Sequence, residues 1–532
     1  MVKKKSEILE EGTTRTKGIN ALSSNIEAAK AISQILKSTL GPRGMDKMLI
    51  DSVGNSVITN DGVKILREME VEHPGAKLLV DVAKTQESEV GDGTTTAVIL
   101  SGELLKNAQK LIKRKIHPAT IVRTYQKCAK YSLEILEKKS TKINTNDEKI
   151  MRQIVQTAMI GKSAEISKEH LSKLVFDAIS FVKDIQINPI QRIKITKATG
   201  GNIESSSLVS GIVLDKNLAH PNMPTKIKNP KILLIDFPLE IRELEHDAKV
   251  QLNSYKEYEN FIENEKKYLY SLVLKIKSIG CNGVICQKGI DDEVAYYLAK
   301  EGITAVRRVR RSDLEKLSFA LNTNIVSSLE DIKKESLGVC LSLEQKVILN
   351  ENYIFIEGCK NPKAITLFLK ASTSHVLDEL ERAIEDSLGD LYSVLKSKAV
   401  VAGGGAIEVE LYNELIKYSE SFSGKQKIIA KSFAKSFLSI PKVLCENCGF
   451  ETSNIMPKLV VVHKKGDNNA GIDGLKGMIK DTLNSGIVEP INVKMQAIKS
   501  ASEASTMILR IDDIIAAKKL SEDNSEQQYM DY

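Results

Sequence analysis

The sequence contains no tryptophan, and aromatic residues make up only 5% of its 532 positions. Proteins that bind single-stranded nucleic acid stack the bases on aromatic side chains, so this composition argues against that class. The formal net charge of +7 is the difference between 76 basic and 69 acidic residues. So small an excess does not indicate a nucleic-acid partner by itself. We therefore expect no nucleic acid among the ligands.

Long apolar runs are also missing. No stretch approaches the roughly 18 consecutive apolar residues that indicate a membrane-spanning helix. Lys3, Lys4 and Lys5 make the first residues basic, but no apolar run follows them, so they are not typical of a signal peptide. The sequence therefore predicts a cytoplasmic protein that does not associate with a membrane.

Cysteine is scarce, with seven residues scattered along the chain. The odd number argues against a disulfide framework and fits a reducing compartment. The one CxxC pair, Cys445 and Cys448, stands in a predicted helical stretch, 431–447. It has neither the second pair nor the nearby histidine that a closed zinc site needs. A structural role is the favoured interpretation, with zinc or redox chemistry as the alternative.

Three short motifs suggest a site for an anion. They are the stretches 41–47, 59–62 and 91–96, and each joins glycine to a carboxylate or to a row of hydroxyls. Glycine lets the backbone approach an anion closely and exposes its N–H groups. Asp92 offers the hard oxygen ligand that Mg²⁺ prefers. Together the motifs predict a nucleoside triphosphate site.

The common nucleotide fingerprints are absent. The one Gly-Lys-Ser, residues 161–163, has Gln156 where a Walker P-loop needs its leading glycine. In the stretch that begins Gly91-Asp92-Gly93, Thr96 takes the place of the third glycine of a dinucleotide fingerprint. The usual nucleotide-binding folds are therefore not indicated.

Each candidate residue also has a simpler interpretation. A helix that begins near Thr94 would bind phosphate at its N-terminus, but threonine at a helix start also serves as an ordinary cap. Asp61, in Asn60-Asp61-Gly62, is typical of a turn. Asp386 lies off the apolar stripe of its predicted helix, which favours a solvated face. The stripe is formed by Val376, Leu380, Ala383, Ile384, Leu388 and Leu391.

The apolar spacing predicts secondary structure along the chain. A helix is expected from Ser24 to Leu40, with Ser24 and Glu27 as a capping box. Short β-prone runs on both sides of residues 60–62 suggest a hairpin. A long helical region should run from about Thr94 to about 139, with a break at His117-Pro118.

The middle of the chain changes character. Four of the 12 prolines fall within residues 221–238, which marks a boundary and loops. Beyond it, apolar runs alternate with helical ones, as expected for an α/β domain. The runs begin at Ile232, Gly283, Ile303 and Ile354. Residues 307–311 form the densest basic cluster, which we interpret as a solvated or subunit-facing patch, with nucleic acid as the alternative.

Many ordered stretches, covering about residues 20 to 518, carry a family resemblance. The chain resembles the group II chaperonins, the class of archaeal thermosomes and of the eukaryotic cytosolic chaperonin. The stretches are Thr39-Leu40-Gly41-Pro42-Arg43-Gly44-Met45-Asp46-Lys47-Met48, Ile58-Thr59-Asn60-Asp61-Gly62, Val90-Gly91-Asp92-Gly93-Thr94-Thr95-Thr96-Ala97-Val98, Cys286-Gln287-Lys288-Gly289-Ile290-Asp291-Asp292, Ala305-Val306-Arg307-Arg308-Val309, Glu357-Gly358-Cys359-Lys360-Asn361-Pro362, Gly403-Gly404-Gly405-Ala406-Ile407-Glu408 and Gln496-Ala497-Ile498-Lys499-Ser500-Ala501.

The resemblance implies a multidomain α+β chaperonin fold with nested connectivity. It implies a mostly helical equatorial ATPase domain, a small α/β intermediate domain and an α/β apical domain with a helical protrusion that serves as a built-in lid. The expected bounds are 1–151 with 399–532 for the equatorial domain, 152–216 with 368–398 for the intermediate domain, 217–367 for the apical domain and about 245–277 for the protrusion.

The resemblance also assigns roles to individual residues. ATP and Mg²⁺ are the implied cofactors. The implied assignments are Leu40, Gly41 and Pro42 at the nucleotide; Asp92 at the metal; Gly93, Thr94, Thr95 and Thr96 around the phosphates; Gly404 and Glu489 beside the ribose and base; Gly161 and Lys162 as sensors of the γ-phosphate; and Asp61 with Asp386 at the attacking water, Asp386 as general base.

The implied function is ATP-driven folding of unfolded client proteins inside a stacked double ring of identical or homologous subunits, without a separate lid protein. Domain closure would gate hydrolysis. A structural ring subunit that binds nucleotide without hydrolysing it is the alternative.

The sequence departs from the family pattern in two places. Residues 370–373, Lys-Ala-Ser-Thr, replace the family's Arg-Gly-Gly-Thr at an expected hinge, and the polar tail lacks a Gly-Gly-Met ending.

Overall fold

The computed structural model describes residues 14–50, 54, 56–182, 189–241, 255–360 and 362–516. The chain forms two compact units. Unit 1 combines Met1–Asn144 with Ser397–Tyr532, and unit 2 is the intervening Thr145–Lys396. The finer division into equatorial, intermediate and apical domains, with the bounds given above, stays a prediction.

Helices dominate unit 1 and flank the sheets of unit 2. The helices are α1 (Ile19–Lys37), α2 (Gly62–Glu68), α3 (Pro74–Val90), α4 (Thr94–Lys113), α5 (Pro118–Lys139), α6 (Glu148–Met159), α7 (Lys168–Val182), α8 (Tyr255–Ser278), α9 (Asp292–Lys300), α10 (Arg311–Leu321), α11 (Ser374–Ser397), α12 (Ala406–Ser419), α13 (Gly424–Phe437), α14 (Ser439–Asn447), α15 (Thr452–Lys464) and α16 (Ile491–Leu509).

The strands are short and form several small sheets. They are β1 (Thr14–Lys17), β2 (Lys47–Ile50), β3 (Ser56–Thr59), β4 (Thr141–Lys142), β5 (Ile193–Thr199), β6 (Ser207–Val209), β7 (Gly211–Leu214), β8 (Lys226–Lys228), β9 (Lys231–Ile235), β10 (Gly283–Cys286), β11 (Thr304–Val306), β12 (Leu337–Val339), β13 (Ser342–Ile348), β14 (Glu351–Glu357), β15 (Ile365–Ala371), β16 (Ala399–Ala402), β17 (Ala470–Asp473), β18 (Met478–Asp481), β19 (Val488–Pro490) and β20 (Asp513–Ala516).

Helix α4 is central to unit 1, where it packs against α1, α3, α13 and α16. Most of its apolar residues share one buried core with those of the neighbouring helices. Tyr125 of α5 is fully buried there, and its ring meets Phe433 edge-on at a centroid distance of 5.1 Å. The Tyr125 hydroxyl donates to the Leu104 carbonyl at 3.1 Å, so this buried polar group is satisfied.

Two small sheets join the distant chain segments of unit 1. β1 pairs antiparallel with β20. β16, which follows the return of the chain from unit 2, lies between β4 and β19. The sequence segments on either side of unit 2 are therefore held together by backbone hydrogen bonds as well as by the helical core.

Unit 2 contains a sheet in the order β11-β10-β9-β12, in which β9, β10 and β11 are parallel. Alternate residues of β9 face opposite sides. Leu233 and Ile235 join α8 and α9 in one core, whereas Ile232 and Leu234 join α10 and the sheet β7-β14-β13-β8 in another. A third sheet, β5-β15-β6, packs against α7.

These elements confirm the predicted multidomain α+β class. The four predicted apolar runs become β9, β10, β11 and β14, and the break at Pro118 becomes the start of α5. Of the predicted protrusion, residues 245–254 lie outside the described part of the chain, and the remainder lies within α8.

Two local predictions are wrong. Ser24 lies inside α1, which begins at Ile19, and its hydroxyl lies 2.9 Å from His73 Nε2, so it caps nothing. The predicted hairpin across residues 60–62 does not form. β3 instead pairs with the preceding β2, and the run that begins at Gly62 is helical because Asp61 caps it.

Close packing of α1 on α4 leads to a stability prediction. A Cβ built on Gly102 of α4 would overlap the Cβ and Oγ of Ser33 in α1. We expect Gly102→Ala to destabilise unit 1 by about 1–3 kcal/mol, the usual cost of overpacking a core. Scanning calorimetry should show a lower unfolding midpoint. Adding Ser33→Gly should restore much of the loss; an unchanged midpoint in Gly102→Ala would contradict the packing.

Candidate nucleotide site

The turn between α3 and α4 carries Gly91, Asp92 and Gly93. Gly91 and Gly93 have φ values of 82° and 79°, the left-handed region that glycine enters without a Cβ clash. α4 begins at Thr94, as predicted. Its N-cap, Gly93, has no side chain to accept from the first-turn N–H groups, which suit an incoming anion.

Gln86, fully buried on α3, fixes this turn. Its Nε2 donates to the Asp92 carbonyl at 2.8 Å and to the Val493 carbonyl of α16 at 3.1 Å. A Cβ on Gly93 would lie 2.6 Å from Val493 Cγ1 and 3.0 Å from Gln86 Nε2. The Asp92 turn is thus held by one side chain and packed too tightly for any residue but glycine at position 93.

Asp61 and Gly62 lie against the start of α4. The Asp61 carboxylate caps α2 by accepting from the backbone N–H groups of Val63 at 3.1 Å and Lys64 at 3.2 Å. A Cβ on Gly62 would lie 2.8 Å from Thr95 Oγ1 and 3.2 Å from Thr94 Oγ1. The second and third glycine motifs therefore pack against each other at the start of α4.

The first motif reaches the same helix through α14. Asn447 Nδ2 donates to the carbonyls of Lys37 and Leu40, each at 2.7 Å. Leu40 also packs with Ile99 of α4 in a small buried cluster. At Gly41, where φ is 91°, a Cβ would come within 2.5 Å of the Leu444 side chain of α14. These contacts hold the Leu40–Gly41 backbone in one place.

The triple glycine at 403–405 lies beside Glu489. Gly404 has a φ of 63°, and the Gly403 N–H donates to the Ile487 carbonyl at 2.9 Å. A Cβ on Gly403 would stand 3.1 Å from Glu489 Oε1. Glu489 itself pairs with Val401 across β19 and β16. The structure therefore brings Gly404 and Glu489 into one corner of unit 1.

A buried ion cluster supports that corner. Lys494 Nζ lies 2.6 Å from Glu489 Oε2 and 2.8 Å from Glu408 Oε1. Burial works against the charge on Lys494, but the two carboxylates raise the pKa of its ammonium. Burial raises the pKa of Glu489; Lys494 opposes this rise, and Glu408 and Asp92 add to it. Asp92 and Glu489 thus belong to one electrostatic environment.

The remaining candidates lie in unit 2. Gly161, with a φ of 79°, and Lys162 follow α6, and the Gly161 N–H donates to Glu165 Oε2 at 3.0 Å. Lys162 Nζ forms an ion pair with Asp386 Oδ2 of α11, and each side chain is about one-fifth exposed. Asp386 lies off the apolar stripe, as predicted, but it is an ion-paired residue and not a freely solvated one.

Three other features singled out in the sequence are the basic cluster 307–311, the CxxC pair and residues 370–373. Arg307 pairs with Asp292 at 2.7 Å, and Arg311 pairs with Asp236 at 2.7 Å, so acidic neighbours offset part of the basic cluster.

Cys445 and Cys448 are buried, and burial raises the pKa of both thiols, that of Cys445 to about 11. This favours the structural interpretation of the pair. Residues 370–373 all have negative φ, so this backbone does not require the family's glycines.

Sequence reasoning missed Gln86, Glu408 and Lys494. Each is a polar side chain on the same helix face as buried apolar residues, which lie three, four or seven positions away along the helix. The apolar partners are Leu79 and Ala83 for Gln86, Leu411 and Leu415 for Glu408, and Ala497, Ile498 and Ala501 for Lys494. A polar residue within an apolar stripe must find a buried partner, and that signal could have identified them.

The residues present fit a magnesium ion. Within the described ranges, no group of three or more His, Cys, Asp or Glu side chains could hold a metal ion. Mg²⁺ does not require such a cage, because it is usually held by one or two carboxylates together with substrate phosphates and water. Asp92, at the start of a helix suited to phosphate, provides such a carboxylate.

The chain is thus a multidomain protein whose unit 1 presents a helix N-terminus suited to an anion. The model of the TCP-1/cpn60 chaperonin family matches residues 32–519, so the chain belongs to that family. It is 45% identical to a thermosome subunit of Pyrococcus horikoshii over 525 residues, 98% of this chain and 96% of the relative.

A second relative, the thermosome subunit beta of Archaeoglobus fulgidus, is 45% identical over 521 residues, which cover 97% of this chain and 95% of the relative. These matches confirm the resemblance stated above, and the chain is a group II chaperonin subunit. In the part of the chain that the structure describes, no helix is both long and apolar enough to cross a bilayer.

The role of Gln86 can be tested. Gln86→Leu removes both hydrogen bonds that fix the Asp92 turn. We expect at least about a tenfold weaker affinity for Mg²⁺–ATP and a lower unfolding midpoint, because each lost hydrogen bond contributes about 0.5–1.5 kcal/mol. Isothermal titration calorimetry measures the affinity.

Gln109→Leu is the matched control, because Gln109 Nε2 donates to the exposed Glu27 carboxylate at 2.8 Å and its Oε1 accepts from Lys30 Nζ at 3.3 Å, with no bond to the Asp92 turn among the described residues. It should bind Mg²⁺–ATP normally. Equal affinities for Gln86→Leu and the unmodified protein would show that Gln86 does not position the turn.

Proposed function

We propose that this chain hydrolyses ATP with Mg²⁺ and uses the cycle to fold client proteins within a cytoplasmic ring of identical or homologous subunits. The observation that carries the proposal is the assembly at the start of α4, where Asp61, Gly62, Asp92 and the hydroxyls of Thr94 and Thr95 converge on one helix N-terminus. Phosphoryl transfer needs mainly positioning and charge neutralisation, and this corner offers both.

Each residue has a defined task in the proposal. The N–H groups and hydroxyls of residues 93–96 bind the phosphates, and the backbone at Leu40, Gly41 and Pro42 contacts the nucleotide. Gly404 and Glu489 lie beside the ribose and base. Asp92 would hold Mg²⁺, which when bound neutralises phosphate charge. These assignments follow the family resemblance and agree with the packing within unit 1.

We propose that Lys162 responds to the γ-phosphate and that Asp386 is the general base for the attacking water, which Asp61 helps to orient. A carboxylate suits that task because it accepts the proton as the water attacks. The ion pair between Lys162 and Asp386 supports this pairing of roles. It places a cation suited to a phosphate beside an anion suited to a water.

A ring subunit that binds nucleotide without hydrolysing it is the competing function. The presence of Asp61, Asp92 and Asp386 together argues against it, since binding alone does not require a general base. A nucleic-acid-dependent ATPase built on residues 307–311 would need a free basic surface, and the ion pairs of Arg307 and Arg311 argue against that.

Replacement of the proposed base separates hydrolysis from binding. Asp386→Ala should bind ATP with nearly unchanged affinity yet lose most steady-state hydrolysis, by about 100-fold or more, as expected for loss of a general base. Asp378→Ala is the matched control, because Asp378 lies on the same helix and pairs with Lys197 at 2.7 Å. Normal turnover in Asp386→Ala would exclude the role of this residue.

Ring assembly can be observed directly. Negative-stain electron microscopy of the purified chain should show closed, stacked double rings if one subunit type is sufficient. Mixed rings that form only with a homologous subunit would point to a hetero-oligomer. Particles of single chains under both conditions would contradict the proposed assembly.

A further inference from the structure

The buried cluster of Glu408, Glu489 and Lys494 has more negative than positive groups. One ammonium faces two carboxylates, at 2.8 Å from Glu408 Oε1 and 2.6 Å from Glu489 Oε2. The side chains of Lys494 and Glu408 are only 7% and 4% exposed, whereas that of Glu489 is 25% exposed. Glu489 is therefore the member of the cluster that reaches an accessible surface.

Such a cluster is a poor way to stabilise a fold. Burying charges costs desolvation energy, which a single ion pair repays only with good geometry and full hydrogen bonding. Neither oxygen of Glu408 has a well-directed hydrogen bond from the described residues, although Lys494 lies nearby. Unfavourable buried charges of this kind are concentrated at functional sites.

The contacts of Glu489 define its orientation. Oε2 faces Lys494, and Oε1 lies beside the position that a Cβ on Gly403 would take. The ion pair thus fixes one oxygen and directs the other toward the glycine turn. Lys494 is itself immobilised, since it lies on the first turns of α16 between the two carboxylates and is almost completely buried.

We infer that Lys494 is a positioning residue for sugar recognition, holding the Glu489 carboxylate so that it accepts hydrogen bonds from the ribose hydroxyls of a bound nucleotide. This inference rests on the proposed function, in which Glu489 lies beside the ribose. A hydroxyl that donates to an ionised carboxylate forms a strong, charge-assisted bond. Recognition should therefore be specific for nucleotides that retain the 2′- and 3′-hydroxyls.

The test compares the affinities for ATP and 2′,3′-dideoxyATP, measured by isothermal titration calorimetry with Mg²⁺ on the full-length protein. The unmodified protein should bind the dideoxy nucleotide about tenfold more weakly or worse, as expected for loss of a hydrogen bond to a charged group. In Lys494→Gln, the ATP affinity should fall and the ratio should approach one, because Glu489 is no longer held.

A second variant distinguishes loss of the positioning role from a folding defect. Glu408→Leu with Lys494→Met removes an ammonium together with one carboxylate, a replacement that often leaves stability intact. It should also lose the discrimination. Lys139→Gln is the matched control, because Lys139 pairs with the nearly buried Glu410 of the same unit at 2.6 Å. It should keep the ratio of the unmodified protein even if it unfolds at a lower temperature.

The possible outcomes distinguish a failure of the proposed function from a failure of the positioning role of Lys494. If the unmodified protein binds neither nucleotide, the proposed function fails. If it binds both equally, or if the ratio is unchanged in Lys494→Gln and in the double variant, the positioning role of Lys494 is overturned while ATP binding stands. A loss of discrimination in Lys139→Gln as large as in Lys494→Gln would show only a general structural effect.

Discussion

Helix α4 is buried over most of its length, and under the proposed function its first turn must also be available to a ligand; the packing of unit 1 meets both requirements. Its body packs against α1, α3, α13 and α16. Its start is held by the left-handed glycines at 91 and 93 and by the buried Gln86 side chain, which bonds to the Asp92 carbonyl. These contacts fix the position of the helix N-terminus, whose free N–H groups and positive dipole end suit an anion.

Charge is distributed around this helix start in a consistent way. The positive end of the helix suits phosphate, and Asp92 suits a metal ion that accompanies phosphate. The buried carboxylate of Glu408 and the partly exposed carboxylate of Glu489 lie near the same corner, balanced in part by Lys494. In unit 2, Lys162 and Asp386 form a second opposite-charge pair. The two groups of charges belong to different units of the chain.

Much of this architecture could be predicted from the sequence, because long apolar stripes and short β-prone runs specify helices and strands locally. The prediction of local structure failed where one side chain is compatible with two different structures. Asp61 could close a hairpin or cap a helix, and only the pairing of β3 with β2 shows which occurs. Residue spacing identified the three glycine motifs separately. Their convergence on α4 depends on contacts between distant segments, such as Asn447 with Leu40 and Gly62 with Thr95. The family resemblance supplied the roles of Asp386 and Glu489 that periodicity could not.

The central claim is that one nucleotide site is built on the start of α4. Electron cryomicroscopy of the assembled protein with ADP, aluminium fluoride and Mg²⁺ tests it most directly. The account predicts phosphate density against the N–H groups of residues 93–96 and a Mg²⁺ ion about 2.1 Å from an Asp92 carboxylate oxygen. Nucleotide density elsewhere in the subunit, or a metal ion that Asp92 does not contact, would contradict it.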